Sequence, residues 1–342
     1  MTSQRAEIGE TTDKQNSMKL SKTSSPTLFD LPLNIMKKIV KKLHPYDWIS
    51  VRNSNGNLRS FIDTLKLDLD IDIFIEGHRY TIVLNGKSFR YRYRFVPYDE
   101  ISNARNEPFH PVVADDERRT IYNKGLQFAL RKLFNVMKLP KAQIEKFSLD
   151  FDSIGGYEDY VHNERLRSSL RTIDMEFGDA HCFRAKSVSL SGFKKPRAAL
   201  ILSSFDAGTL VKFEIMRCIF NDIRPLTCLE QFKNAKQLRT DLNICSVFGF
   251  TVSDLLGFSS IEFTSPEVSP NDLKELVNSS TKLETCVVSK QLDDSESIAE
   301  EMLQEFDPTF AGKTGTINYK ANGFEYVIEV TEERVKIEKK LG

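Results

Sequence analysis

Residues 237–263 read QLRTDLNICSVFGFTVSDLLGFSSIEF. The stretch opens on Leu238 and Thr240, two apart, and closes on Ile261 and Phe263, again two apart and 23 residues further on. Side chains at x and x+2 fall on one face of a β-strand. The stretch therefore predicts a short strand, a connection long enough to hold a helix, and a second strand like the first. Working outward, the same pair stands upstream at Phe213/Ile215 and Val188/Leu190 and downstream at Cys286/Val288, so the successive spacings are 25, 25, 23 and 25 residues.

That period is the one found in leucine-rich-repeat-like solenoids, where each repeat lends one short strand to a parallel sheet and covers its back with a helix. One connecting segment has an explicit helix start. Ser269-Pro270 is followed by Asp272 in the first turn and by Leu273, Leu276 and Val277 as an apolar stripe. Flanking the inward pairs stand Ser189, Glu214, Arg239, Glu262 and Thr285, with Ser191, Met216, Asp241, Thr264 and Ser289 one step further along. They predict an open polar sheet face. Faces of this kind offer extended area to macromolecules, which makes Glu214, Arg239, Asp241 and Glu262 candidate target-contact residues. An ordinary solvated face would read the same way.

Upstream, residues 69–95 alternate with period two: Ile71, Ile73 and Ile75, then Tyr80, Ile82 and Leu84, then Asn85-Gly86, the pair that favours a tight hairpin turn. Phe89, Tyr91, Tyr93 and Phe95 then alternate with Arg90, Arg92 and Arg94. Interleaved rings and guanidiniums are a cue for nucleic acid, but the pattern favours the plainer reading of a half-buried strand with a charged outer face. Residues 97–118 carry Pro97, Pro108 and Pro111 and read as a loop; 119–137 read as a helix with Ile121, Leu126, Ala129, Leu130 and Leu133 apolar. At the other end, Thr316 to Lys339 reads as a β meander turning at Asn322-Gly323 and closing the solenoid.

Near the N-terminus, Ile35, Ile39 and Leu43 recur every four residues beside Met36 and Val40, with Lys37, Lys38, Lys41 and Lys42 on the other side. This is an amphipathic helix, started by Asp30 and Pro32 and ended by His44-Pro45. Asp47 is expected to cap a second helix carrying Trp48 and Val51. Leu58, Phe61, Ile62 and Leu65 mark a third, with Gly56 delaying or fraying its start. Three helices this short cannot bury their own apolar faces, so the rest of the chain or another protein must cover them.

Composition narrows the function. With 342 residues, Lys plus Arg and Asp plus Glu equal at 48 each, and 40% hydrophobic residues, the chain folds and carries no global field toward nucleic acid or an anionic membrane. Its longest apolar run, Ala198 to Leu202, is far short of the roughly 20 residues a span needs. Residues 1–27 read as an unfolded leader with no secretory signal. Cys182, Cys218, Cys228, Cys245 and Cys286 are odd in number and widely spaced, which predicts buried thiols in a reducing compartment, cytoplasm or nucleus. His44, His78, His110, His162 and His181 have no metal-ligand spacing, and Gly312-Lys313-Thr314 lacks the first glycine of a phosphate loop. No nucleophile-elbow, zinc-protease or dinucleotide motif is present. The reading is non-enzymatic, with no cofactor and no metal.

The stretch LFDLPLNIMKKIVKKLHPYDWISVRNSNGNLRSFID, residues 28–63, resembles an F-box, carried by Leu31-Pro32, Ile35, Ile39, Val40, Leu43, Asp47-Trp48, Val51 and Leu58-Arg59. The resemblance implies docking onto a Skp-type adaptor, and through it a cullin, with Leu31, Pro32, Ile35, Ile39, Val40, Leu43, Trp48 and Val51 as the contact residues. Asn34 stands where an acid is usual, Trp48 where Leu is usual, and Asn53-Ser54-Asn55-Gly56 replaces an apolar, small and basic run. Leu229-Glu230-Gln231-Phe232-Lys233-Asn234-Ala235-Lys236, Phe248-Gly249-Phe250 and Ser269-Pro270-Asn271-Asp272-Leu273 resemble the FTH domain that follows the F-box in a large nematode family, with Phe232 for the usual Trp. That part is implied to recruit a protein for ubiquitination. The expected organisation is an α+β chain: leader 1–27, F-box 28–66, hairpin and helix 67–137, FTH-like solenoid 138–290 and β cap 291–342. The expected role is substrate recognition in a ubiquitin ligase. A scaffold outside any ligase, and an RNA or single-strand binder acting through Arg90, Arg92 and Arg94, are the alternatives.

Overall fold

A computed structural model describes residues 31–76, 79–92, 120–122, 125–152, 164–179, 181–193, 197–218, 223–241, 249–264, 268–289, 296–310, 312, 314–331 and 334–340. The expected leader, the 97–118 loop, Arg94, Cys245 and Phe248 lie outside these residues. The chain divides into two compact units, residues 1–44 and 45–342. The described part of the first contains helix α1 (Leu33–Lys42). Pro32 precedes it with extended backbone, and its carbonyl accepts from the Ile35 and Met36 amides at 2.9 and 3.1 Å. Lys41 and Lys42 occupy the last turn, where the helix dipole favours cations.

The second unit opens on α2 (Pro45–Ser54) and α3 (Gly56–Thr64). Pro45 takes the first helical turn, where a missing N–H costs nothing, so Asp47 sits inside the first turn and is not the cap the sequence predicts. Gly56 likewise opens α3 without fraying it: Asn55, in extended backbone, accepts from the Asn57 amide at 2.7 Å and caps the helix.

The remainder builds one mostly parallel sheet, 13 strands among the described residues, in the order β11-β12-β13-β10-β9-β8-β7-β6-β5-β1-β2-β3-β4. These are β1 (Leu67–Glu76), β2 (Arg79–Leu84), β3 (Lys87–Arg92), β4 (Thr120–Tyr122), β5 (Ala142–Asp152), β6 (Ala185–Ser191), β7 (Lys212–Met216), β8 (Gln237–Thr240), β9 (Ser260–Phe263), β10 (Thr285–Ser289), β11 (Gly315–Ala321), β12 (Phe324–Val330) and β13 (Arg334–Lys339). From β5 to β10 each strand pairs in parallel with the next. Helices fill the connections: α4 (Gly125–Met137) before β5, α5 (Glu164–Gly178), α6 (Arg197–Ser203), α7 (Arg224–Thr227), α8 (Glu230–Asn234), α9 (Val252–Leu255), α10 (Pro270–Ser279) and α11 (Glu296–Phe306).

The period read from the sequence becomes a register. Val188 pairs with Phe213, Phe213 with Leu238, Leu238 with Ile261 and Ile261 with Cys286, and the second members Leu190, Ile215, Thr240, Phe263 and Val288 line up beside them. All ten are buried. The row extends beyond the repeat, through Phe147 and Ile71 on one side and Ile337, Ile328 and Ile317 on the other. Aromatic rings lock the helices to it: Phe232 of α8 meets Phe213 edge-on at 6.4 Å and Phe177 of α5 meets Phe147 at 6.2 Å. Ser269-Pro270 opens α10 as expected, burying Leu273, Leu276 and Val277. Both Asn-Gly pairs make hairpins, with φ of 50° and 78° at Asn85 and Gly86 and 53° and 77° at Asn322 and Gly323.

Three expectations are corrected. The helix expected over 119–137 starts at Gly125, because Thr120–Tyr122 adds a strand to β3 instead. The C-terminal region is not all β, since α11 precedes its three strands and buries Met302, Leu303 and Phe306. The cysteines are not uniformly buried: Cys218 and Cys286 are, whereas Cys182 and Cys228 are exposed.

Candidate protein-interaction surfaces

In the first unit, α1 keeps Met36 and Val40 buried and leaves Leu31, Leu33, Ile35 and Ile39 unusually open, at 37%, 55%, 37% and 36% exposure. Pro32 is exposed and Leu43 half-buried. The sequence-predicted contacts Leu31, Pro32, Ile35 and Ile39 are thus available to a partner, whereas Val40 presents no surface. No sequence signal sets Leu33 apart, since it falls in line with Met36 and Val40 at i+3 and i+7. Exposed apolar side chains on and just before one short helix mark a candidate surface for a partner.

In the second unit, Trp48 is buried at 4% exposure and Val51 half-buried. Trp48 therefore offers little surface in this structure. Its helix α2 rests on α4, with the Lys132 ammonium 5.7 Å from the Tyr46 ring and Phe89 of β3 edge-on to Tyr46 at 4.9 Å. Arg52 donates through Nε and Nη2 to the two Asp63 carboxylate oxygens at 2.7 and 3.0 Å, tying α2 to α3. That fork holds the Asp63 carboxyl below its usual range, against a smaller opposing effect of burial.

On the sheet, the polar partners of the buried row form the opposite face. Ser189, Glu214, Arg239 and Glu262 stand in one register line across β6 to β9. Arg239 and Glu262 form an ion pair at 3.2 Å and Lys212 pairs with Glu214 at 2.6 Å. Burial pushes the Glu214 carboxyl up, but the Lys212 ammonium, the Ser189 hydroxyl and the Arg239 charge outweigh it, and the group ends below its usual range. Asp241 accepts from the Arg217 amide at 2.5 Å. The Arg217 guanidinium spans back to Ser191 at 3.0 Å and Asp150 at 2.6 Å. The four sequence-predicted target residues are thus neighbours on one polar face. Arg217, which knits it together from a left-handed φ of 53°, carries no sequence signal, because its partners lie 24, 26 and 67 residues away.

Of the proposed nucleic-acid strip, Arg90 is exposed on β3, and Arg94 lies outside the described residues. Among the described residues no cluster of His, Cys, Asp and Glu could hold a metal ion, and no helix is long and apolar enough to cross a membrane.

Comparison with known families gives two matches. The F-box domain model matches residues 28–70, which hold α1, α2, α3 and the start of β1, and the FTH domain model matches residues 167–309, from α5 through α11. Neither a curated protein nor a solved structure matches the chain. An F-box implies, in general terms, binding to a Skp-type adaptor and a substrate-adaptor role in cullin-based ubiquitin ligases; proteins that carry it are typically non-catalytic subunits. The chain carries an F-box domain followed by an FTH domain, the pair typical of nematode F-box protein families.

Proposed function

We propose that the chain is the substrate-recognition subunit of a Skp-cullin-F-box ubiquitin ligase, docking its adaptor through Leu31, Pro32, Ile35 and Ile39 and holding a target protein on the open face of a leucine-rich-repeat-like sheet. The observation that carries the first half is the exposure of these side chains on helix α1 and the two residues before it, within the F-box match. For the second half, support comes from the single register line of polar residues on a sheet whose other face is filled by apolar side chains. Under this reading residues 28–66 serve the adaptor, the sheet face within 138–290 serves the target, and 291–342 close its end. The chain makes no bonds itself. By holding a target beside a charged ubiquitin-conjugating enzyme it turns a dilute encounter into a high local concentration.

The test is co-purification of the full chain with a Skp-type adaptor, for the wild type and for Leu31→Ala with Ile39→Asp. Both side chains are exposed, so the fold persists, which unchanged Trp48 fluorescence verifies. An aspartate buried unpaired in an apolar contact weakens binding by about 100-fold. Retention of the adaptor by the double variant would overturn the docking surface; target binding without target turnover would favour a scaffold.

A further inference from the structure

Helix α1 holds four lysines, Lys37, Lys38, Lys41 and Lys42, and no acid. All four are exposed, and no carboxylate among the described residues pairs with them. Lys37 and Lys41, and Lys38 and Lys42, stand at i,i+4, where like charges repel and work against the helix. In a chain of zero net charge this is a local field and not the fringe of a global one. Its placement is specific. Lys38 follows Ile35 by three residues and Lys42 follows Ile39 by three, so these two ammoniums run along the margin of the exposed isoleucine strip. Lys37 and Lys41 lie on the far side of the helix from that strip.

We infer that α1 recognises a groove that is apolar on its floor and acidic along one rim, with Lys38 and Lys42 reading the rim while Ile35 and Ile39 fill the floor. The inference rests on the adaptor reading above and names the chemistry of the adaptor's surface. A protein groove fits better than a lipid surface, because α1 has no aromatic side chain to anchor it in a headgroup layer. Rim charges act mainly on encounter: opposite potentials speed association and fade with salt, while the apolar floor governs dissociation.

The experiment measures association and dissociation rates of the full chain on an immobilised Skp-type adaptor at about 50 and 500 mM salt. Wild type is expected to associate about tenfold slower at the higher salt. At low salt Lys38→Glu with Lys42→Glu slows association about tenfold and leaves dissociation within about threefold, whereas Lys37→Glu with Lys41→Glu, the same change of charge, slows association less than about threefold. Equal effects of the two double variants, or none from either, overturn the acidic rim while leaving the docking reading intact. No binding by the wild type overturns both. Sedimentation of the chain with phosphatidylserine-containing vesicles, lost in the Lys38/Lys42 variant and without any adaptor response, overturns the proposal in favour of a membrane surface.

Discussion

Gly192 ends β6 at φ 77°, and a Cβ there would stand 1.9 Å from the Phe151 carbonyl oxygen and 2.9 Å from its carbonyl carbon. Both are backbone atoms of the neighbouring strand, so no rotamer change relieves the contact. The Gly192 amide also donates to the Met216 carbonyl at 3.0 Å on the other side, leaving the chain no room to retreat. Gly192→Ala therefore loses about 3 kcal/mol or more, from the left-handed backbone and the clash together, read as a lowered urea midpoint. The thiols divide just as sharply. Burial pushes Cys218 and Cys286 up to about 12, so at pH 8 only about one in ten thousand of each is the reactive thiolate. Iodoacetamide on the native chain is expected to modify the exposed Cys182 and Cys228 and to spare the buried pair until urea is added. Early labelling of Cys286 would show that β10 opens from the sheet.

At the scale of elements, the join between α2 and α3 depends on one carboxylate. The Arg52 fork lowers the folded pKa of Asp63, so the group binds its proton more readily in the unfolded chain. Its stabilisation is complete above the unfolded value of about 3.9 and is lost as pH falls through the lower folded value. Asp63→Asn removes that contribution at neutral pH and flattens the acid limb of a Trp48 fluorescence titration; an unchanged limb would mean the ion pair is incidental. Elements built on local rules were legible from a few residues: Asn-Gly at 85–86 and 322–323 for two hairpins, Ser269-Pro270 for α10, and the x, x+2 pairs for five strands in their true order. What escaped were elements whose signal is non-local. Phe147/Leu149 belong to the same buried row, but 41 residues separate Phe147 from Val188, so the period does not reach them. Thr120–Tyr122 is three residues long and is a strand only because β3 lies beside it. Helix α1 was legible for the same reason as the turns, because Ile35 and Ile39 sit a turn apart. Arg217 was not, since its role exists only once β5, β6 and β8 are neighbours.

Across the whole of residues 45–342, the FTH match accounts for 167–309, yet the buried row runs past both of its ends. One line of paired residues passes from Leu84 through Ile71, Phe147, Val188, Phe213, Leu238, Ile261, Cys286 and Ile337 to Ile328 and Ile317, all of them buried. Stacked-repeat proteins feel mainly their nearest neighbours, so a long array can come apart in blocks. Here each strand is hydrogen-bonded to the next with no break, which favours loss of the sheet as one unit. The single tryptophan makes this measurable, because Trp48 is buried in α2 beside α4, near β3, while Ile328 is buried on β12 towards the opposite end. Ile328→Ala leaves a cavity costing about 2–5 kcal/mol. If the sheet is one cooperative body, Trp48 fluorescence and far-UV circular dichroism shift to the same lower urea midpoint. Should the Trp48 transition stay at its wild-type position while the dichroism splits in two, the strands added beyond the FTH match form a separate folding block, and the proposed target face would then be assembled from parts that open independently.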